Sequence, residues 1–192
     1  DKIIYTYTYD STFVHRMLTS TNGFTKETYS YDDAGNVTGT VFGAYDTNKT
    51  ISSSAAYAHN GNLLASSTDA AGNTTSYAYA GDRNTVYGQP SAVTDAKGTS
   101  TTYLLDEYGR TTEISLANLA DIQYTYSKNL LNKLTRTTGD SSQAYSFTYD
   151  GFGNSTTINI DGWGGEDPLV AYAYGDNNGL LTAAYTAVKA GE

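Results

Sequence analysis

The sequence predicts an all-β protein, and three observations carry that prediction. Tyrosine is in excess, 19 of 192 residues against five Phe and one Trp. Many tyrosines stand two apart, as in Tyr5, Tyr7 and Tyr9 or Tyr124 and Tyr126, the spacing that puts side chains on one face of a strand. The phrase Asp-x-x-Gly recurs at Asp32/Gly35, Asp69/Gly72, Asp95/Gly98, Asp106/Gly109, Asp150/Gly153 and Asp176/Gly179. Asp in the first place of a type I turn accepts backbone N–H bonds, and Gly in the fourth tolerates a left-handed backbone. No ten-residue stretch carries an apolar period of 3.6.

The pattern is set by Tyr29–Val37, which reads as a strand ending Tyr29-Ser30-Tyr31, a turn over Asp32–Gly35 and a strand returning from Asn36. It recurs at Phe147–Asn154. Taking the aspartate or its stand-in, turns fall at 10, 32, 59, 69, 95, 106, 127, 150 and 175 or 176, with many steps of 21 to 27 residues. The short steps, 59 to 69 and 95 to 106, mark opposite ends of adjacent hairpins.

In chain order, a strand Ile3–Tyr9 leads through a broken turn to a strand over Phe13–Leu18. Asn22-Gly23 is a strong hairpin dipeptide that turns the chain into Thr25–Tyr31. Asn36–Val41 returns, and the polar residues 45–54 read as turn. Residues 62–68 and 73–80 flank the Asp69 turn. Gly81–Asn84 and Gly88–Pro90 read as loops around a short segment.

Residues 99–105 and 110–116 flank the Asp106 turn, and Ala117–Asp121 is the one place suited to a helical turn. Residues 122–126 pair with 132–138, and 143–149 with 154–160. Residues 161–168 depart from the repeat, and 169–174 with 180–187 form a last hairpin. The expectation is a single domain over 1–192 of about eight degenerate hairpins. A chain that starts Asp1-Lys2-Ile3, without Met, reads as a piece of something longer.

The net charge of −9 argues against nucleic acid or an anionic membrane surface as partner. With no Cys there is neither a disulfide framework nor a cysteine metal site. The sequence shows no signal peptide and no membrane-length apolar run, so membrane insertion is not expected.

Tyr-x-Tyr-Asp-x-x-Gly-Asn followed by an aliphatic residue resembles the YD repeat of the Rhs and teneurin-like proteins, the repeat of Tc toxin shells. Tyr29–Val37 and Phe147–Asn154 match it closely. Asp106-Glu107-Tyr108-Gly109-Arg110 matches its turn, with the aromatic before Gly and the Arg after it. The resemblance covers nearly the whole chain, mostly through degenerate copies. It implies hairpins laid side by side in a curved, spiralling sheet that closes as a hollow shell. In bacterial members that shell encloses a toxic C-terminal segment of the same polypeptide.

The partners implied are adjacent repeats and an enclosed toxin cargo, and the location implied is secreted or at the bacterial cell surface. The repeat residues so marked are Tyr29, Tyr31, Asp32, Gly35, Asn36, Asp69, Gly72, Asp106, Gly109, Tyr124, Tyr126, Tyr149, Asp150, Gly153, Tyr172 and Tyr174. The family's core-associated segment, which ends the shell and cleaves the chain, is not recognisable. Asp167-Pro168 shares a dipeptide with its signature, but the Gly and aliphatic residues that should follow are missing. Self-cleavage is therefore not expected.

The Tyr-x-Tyr pairs admit two readings. As architecture, their rings stack on those of the next hairpin, each cross-strand pair adding roughly 0.2–1 kcal/mol. As function, they line a carbohydrate-binding groove at a cell surface. A ladder in nearly every repeat is what architecture requires. His15 and His59 are the only histidines, no nucleophile elbow surrounds any Ser, and no acid pair is singled out by spacing. A glycoside hydrolase fragment is thus the weakest reading, and no catalytic residue is assigned.

Calcium is the one cofactor the sequence suggests at all. Asp161, Glu166 and Asp167, or Asp176-Asn177-Asn178, supply oxygen ligands without completing a loop pattern. Trp163 between glycines reads as a buried anchor or an exposed platform. Asn-x-Ser/Thr triplets at Asn36, Asn48, Asn73 and Asn154 follow from a Thr-rich composition. Ile3–Tyr9 and Leu181–Val188 contain no charge or Pro, so the two ends should pair edge to edge with another chain. The reading is a non-enzymatic wall segment.

Overall fold

Short alternating runs punctuated by Asp, Asn and Gly leave little for a helix to use, and the chain folds as strand after strand. The computed structural model describes residues 4–44, 49–162, 168–176 and 179–186. These form sixteen strands, which within each of two units pair antiparallel with their neighbours in the chain, and one short helix. They fall into two compact units, residues 1–100 and 101–192.

The first unit holds β1 (Thr6–Tyr9), β2 (Met17–Thr21), β3 (Thr25–Tyr31), β4 (Val37–Ala44), β5 (Thr50–Ala58), β6 (Leu63–Thr68) and β7 (Thr74–Ala78). Helix α1 (Gly81–Tyr87) and β8 (Ala92–Thr94) complete it. The second unit holds β9 (Ser100–Leu105, its first residue at the boundary), β10 (Thr111–Leu116), β11 (Ala120–Ser127) and β12 (Leu130–Thr138). It continues with β13 (Ser141–Tyr149), β14 (Ser155–Ile160), β15 (Val170–Tyr174) and β16 (Leu181–Thr186). Within each unit strand order is chain order, giving an open sheet of four hairpins. The all-β class and the side-by-side hairpins are as the sequence predicts.

Four local expectations are corrected. The strand expected over Phe13–Leu18 starts only at Met17. Asp10 Oδ1 accepts the N–H groups of Thr12 (2.7 Å) and Phe13 (2.8 Å), and its own N–H bonds the Arg16 carbonyl (2.9 Å), so a wide turn consumes the intervening residues. Residues 50–54 are strand, not turn. Ser52, Ser53 and Ser54 pair with Val41, Thr40 and Gly39, and the backbone ladder needs no side-chain alternation. The loops expected around 81–90 contain α1, followed by the short β8.

Ala117–Asp121 is a hairpin turn rather than a helical one. The Leu119 N–H bonds the Leu116 carbonyl at 3.0 Å, Asn118 takes φ of 60°, and Leu116 pairs with Ala120. Five residues cannot repay helix nucleation against a ready ladder.

The sheets have two unlike faces. In the second unit Ile114 lies between Tyr103 and Ile122, Leu134 between Tyr124 and Tyr145, and Phe147 opposite Ile158. The opposite face carries Thr102, Ser115, Gln123, Lys133, Thr135 and Ser146. No second layer covers the apolar face within the described residues. Ala120 and Ala144 are their only buried apolar residues. In-plane neighbours, not a core, shield the tyrosines.

Every described hairpin except β7–β8 is also kinked at the same place. Just before the turn the register slips by one residue, at Thr8/Tyr9, Ser30/Tyr31, Ala56/Tyr57, Thr125/Tyr126, Thr148/Tyr149 and Ala173/Tyr174. In the β9–β10 hairpin the extra residue is Thr112. A bulge leaves one residue unpaired and interrupts the ladder beside it.

Candidate functional site

The turn is the smallest unit with fixed chemistry. Asp32 N–H donates to the Asn36 carbonyl (3.0 Å), Gly35 N–H to the Asp32 carbonyl (3.1 Å) and Asn36 N–H to Asp32 Oδ1 (2.8 Å). Gly35 completes the turn with φ of +96°, a conformation that only Gly adopts freely. The same closing bond recurs at Asp69/Asn73, Asp95/Thr99, Asp106/Arg110 and Asp150/Asn154, at 2.9 to 3.0 Å. Gly72, Gly109 and Gly153 occupy the place of Gly35 with φ of +84°, +79° and +90°. The last turn is framed by Gly175, whose N–H bonds the Leu180 carbonyl at 2.9 Å.

These hydrogen bonds favour the carboxylate. The side-chain amides of Asn36, Asn73 and Asn154 hold Asp32, Asp69 and Asp150 below the usual carboxylate range, with backbone N–H groups adding to the effect. At Asp106 desolvation pushes the pKa up, but the Arg110 side chain and backbone N–H groups outweigh it.

The residue after Gly has a second task, reaching the next hairpin's turn. Asn36 Nδ2 donates to Asp32 Oδ2 (3.0 Å) and also to the Gly61 carbonyl (2.7 Å). Arg110 Nε donates to Asp106 Oδ2 (2.7 Å) while another guanidinium N–H donates to the Lys128 carbonyl. Its guanidinium lies 4.3 Å from the centre of the Tyr126 ring, much as Arg16 lies 4.1 Å over Phe13. Arg16 extends the same stitching from the first turn, donating to the Asp33 carbonyl at 3.0 Å. With their amides engaged by aspartate, Asn36, Asn73 and Asn154 are turn residues first.

The tyrosines do not stack hairpin on hairpin as expected. Among the described tyrosines the ring pair is Tyr5–Tyr7, two residues apart in the chain at 6.5 Å. The ladder runs through hydroxyls instead. Tyr31 Oη donates to the Met17 carbonyl (2.7 Å), Tyr79 to Leu64 (3.0 Å), Tyr126 to Thr111 (2.9 Å), Tyr149 to Leu131 (2.8 Å) and Tyr174 to Ser155 (2.9 Å). Each acceptor is the residue just ahead of the bulge in the preceding hairpin, where the ladder is interrupted. A buried backbone acceptor without a partner costs about 1–3 kcal/mol, and the tyrosine removes that cost.

Tyr29 differs, donating to the Glu27 carboxylate on its own strand, which pushes its pKa up to about 12. Tyr124 and Tyr172 contribute only cross-strand contact, opposite Leu134 and Ala184. Arg16 and Tyr79 join this stitching although neither is among the marked repeat residues. Their signal is positional, a cation and an aromatic beside a turn.

The remaining candidates do not converge. His15 packs edge-on to Phe13, and His59, with φ of 53°, edge-on to Tyr79. Asp161 is ion-paired with Lys133 at 3.4 Å. Glu166, Asp167, Asn177, Asn178, Trp163 and Asn48 lie outside the described residues, which contain no cluster of three metal-ligating side chains. Open grooves of about 450 Å³ beside Asn118 and Gly139 and about 330 Å³ over Ser53, Ser54 and Ser67 are lined by turn residues and small polar side chains.

No family model and no curated protein matches the chain. Its fold does match solved structures. A crystal structure of TcdB2-TccC3-Cdc42 superposes with a TM-score of 0.67 at 15% identity, over 94% of this chain and 10% of that one. A crystal structure of TcdB2-TccC3 without its hypervariable C-terminal region gives 0.63 at 15% identity, over 88% and 10%. The chain spans about a tenth of the length of these Tc toxin chains and shares their fold over that part.

Proposed function

We propose that the chain is a wall segment of an Rhs/YD-repeat shell, a non-enzymatic module that encloses or displays a C-terminal toxin domain of the same polypeptide. The observation that carries this reading is the tyrosine hydroxyl bonded to the preceding hairpin, made five times. Each hairpin is finished only by the one laid on it, which suits a wall rather than a pocket. The fold shared with TcdB2-TccC3 supports the same assignment, and with it a secreted or surface location in bacteria. The carbohydrate-binding reading draws less support, because the hydroxyls of Tyr31, Tyr79, Tyr126, Tyr149 and Tyr174 are committed to backbone carbonyls.

Limited proteolysis of the complete polypeptide that carries this chain tests the proposal. The C-terminal segment should resist cleavage in the folded protein and be cut once the wall is opened by denaturant. Replacing His15 and His59 together by Gln should leave that protection unchanged. Equal cleavage of the C-terminal segment with the wall folded and unfolded overturns the reading.

A further inference from the structure

Two of the described turns contain an Asn-Gly pair, and the two asparagines are held very differently. Asn22 is half-buried, and its carboxamide oxygen accepts the N–H groups of Phe24 (3.0 Å) and Thr25 (2.8 Å) and the Thr25 hydroxyl (3.1 Å). Asn60 is exposed, and its carboxamide makes no hydrogen bond among the described residues. The glycine N–H is bonded in both, to Thr21 Oγ1 and to the Ala58 carbonyl, each at 3.2 Å. The Asn60 turn is the strained one. His59 and Asn60 both hold left-handed backbones, with φ of 53° and 58°, so opening this turn releases strain. The third pair in the sequence, at Asn178, lies outside the described residues.

The same turn joins two hairpins. The Gly61 carbonyl accepts Asn36 Nδ2 at 2.7 Å, and a Cβ on Gly61 would stand 2.3 Å from Ala34 Cβ. This stitch spans the β4–β5 junction, where Gly39–Gly43 pair with Thr50–Ser54. The other two hairpin-to-hairpin junctions of the first unit, β2–β3 and β6–β7, each carry a tyrosine hydroxyl bond. Tyr57 is placed before its turn as Tyr31 is, yet its hydroxyl makes no such bond among the described residues. Asn36 and Gly61 do its work.

We infer that Asn60 is a deamidation site whose product releases the β4–β5 junction. The Gly61 nitrogen, its proton lost to hydroxide, attacks Asn60 Cγ. The bond from Cγ to the amide nitrogen breaks, ammonia leaves and a five-membered succinimide closes. Water opens that ring at either carbonyl, giving aspartate or isoaspartate, with no oxidant or reductant consumed. Glycine permits the attack because no Cβ shields its nitrogen. At Asn22 the same attack must first detach a carboxamide held by three hydrogen bonds. Isoaspartate lengthens the backbone by one carbon just ahead of Gly61. A turn wedged against Ala34 has no room for it, so the Gly61 carbonyl leaves Asn36. The inference is independent of what the wall encloses.

Incubation of the complete polypeptide that carries this chain, at mildly alkaline pH, tests it. Peptide mass spectrometry should show Asn60 converting to aspartate and isoaspartate well before Asn22. The two rates should converge in urea, where the bonds to Asn22 are gone. Hydrogen exchange across the β4–β5 ladder should speed up roughly fivefold in the converted protein, the worth of one neutral hydrogen bond. Exchange across β2–β3 should stay as it was. Asn60→Gly keeps the left-handed turn with no amide to lose, so its exchange should not change on incubation. Conversion of Asn60 no faster than that of Asn22, equal exchange before and after conversion, or the same acceleration in Asn60→Gly overturns the proposal.

Discussion

Gly61 and Gly72 separate two costs that are usually confounded. Both have left-handed backbones, with φ of +87° and +84°. A Cβ at Gly72 would meet nothing within 4 Å. Gly72→Ala should therefore cost only the left-handed strain of an L-residue, about 1–2 kcal/mol. A Cβ at Gly61 would stand 2.3 Å from Ala34 Cβ and 2.8 Å from Asn36 Nδ2. Ala34 is fixed inside a closed turn, and Asn36 is held by its bonds to Asp32 and to the Gly61 carbonyl. Neither neighbour can retreat without breaking the stitch between turns, so overpacking adds about 1–3 kcal/mol to the strain.

With a slope of about 2 kcal/mol per molar urea, the Gly61→Ala midpoint should fall about 1 M further than that of Gly72→Ala. Adding Ala34→Gly removes the closest contact and should recover part of the difference, a coupling that a double-mutant cycle measures. Equal midpoints for the two single variants, or no recovery in the double, would refute the account of packed turns.

Tyr126→Phe and Tyr149→Phe should each lower stability by about 0.5–1.5 kcal/mol in urea titrations, through loss of the hydroxyl bond, with Tyr5→Phe as a neutral control. The depressed carboxyl groups of Asp32, Asp69, Asp106 and Asp150 contribute stability above their ordinary value of 3.8 that is lost as pH falls through the lower folded values. Acid titration should show the loss, and Asp69→Asn should shrink it. The raised Tyr29 hydroxyl contributes stability below pH 10 that is lost as pH rises toward about 12. Glu27→Gln should remove this late tyrosine step from an ultraviolet titration. Arg110→Lys keeps the charge but not the planar fork that reaches Asp106 and Lys128 together. It should cost about 1 kcal/mol in thermal or urea unfolding.

The turns were legible because their chemistry is local. Asp32, Gly35 and Asn36 form their bonds within five residues, and the alternation of Tyr29 and Tyr31 needs no partner to be seen. The Ser52–Ser54 strand was not legible, since its only reason to be extended is the ladder that Thr40 and Val41 offer. Helix α1 is too short for its periodicity to register. The bulges and hydroxyl bonds needed knowledge of register. Tyr31 could be assigned a face from sequence, but not the Met17 carbonyl 14 residues earlier. The expectation of stacked rings failed for the same reason, because the interrupted ladder offers the hydroxyls of Tyr31, Tyr79, Tyr126, Tyr149 and Tyr174 a better partner than another ring.

The direction of the hydroxyl bonds bears on how the chain is made. Tyr31, Tyr79, Tyr126, Tyr149 and Tyr174 all reach back to a strand synthesised earlier, and none waits for one still to come. A ribosome adds roughly 5–20 residues per second, so a hairpin of about 24 residues emerges every few seconds. Hairpins close in about 1–10 μs. Each emerging hairpin therefore meets a finished template and is fastened to it before the next appears. The hairpins of each unit can assemble vectorially, in the order of translation.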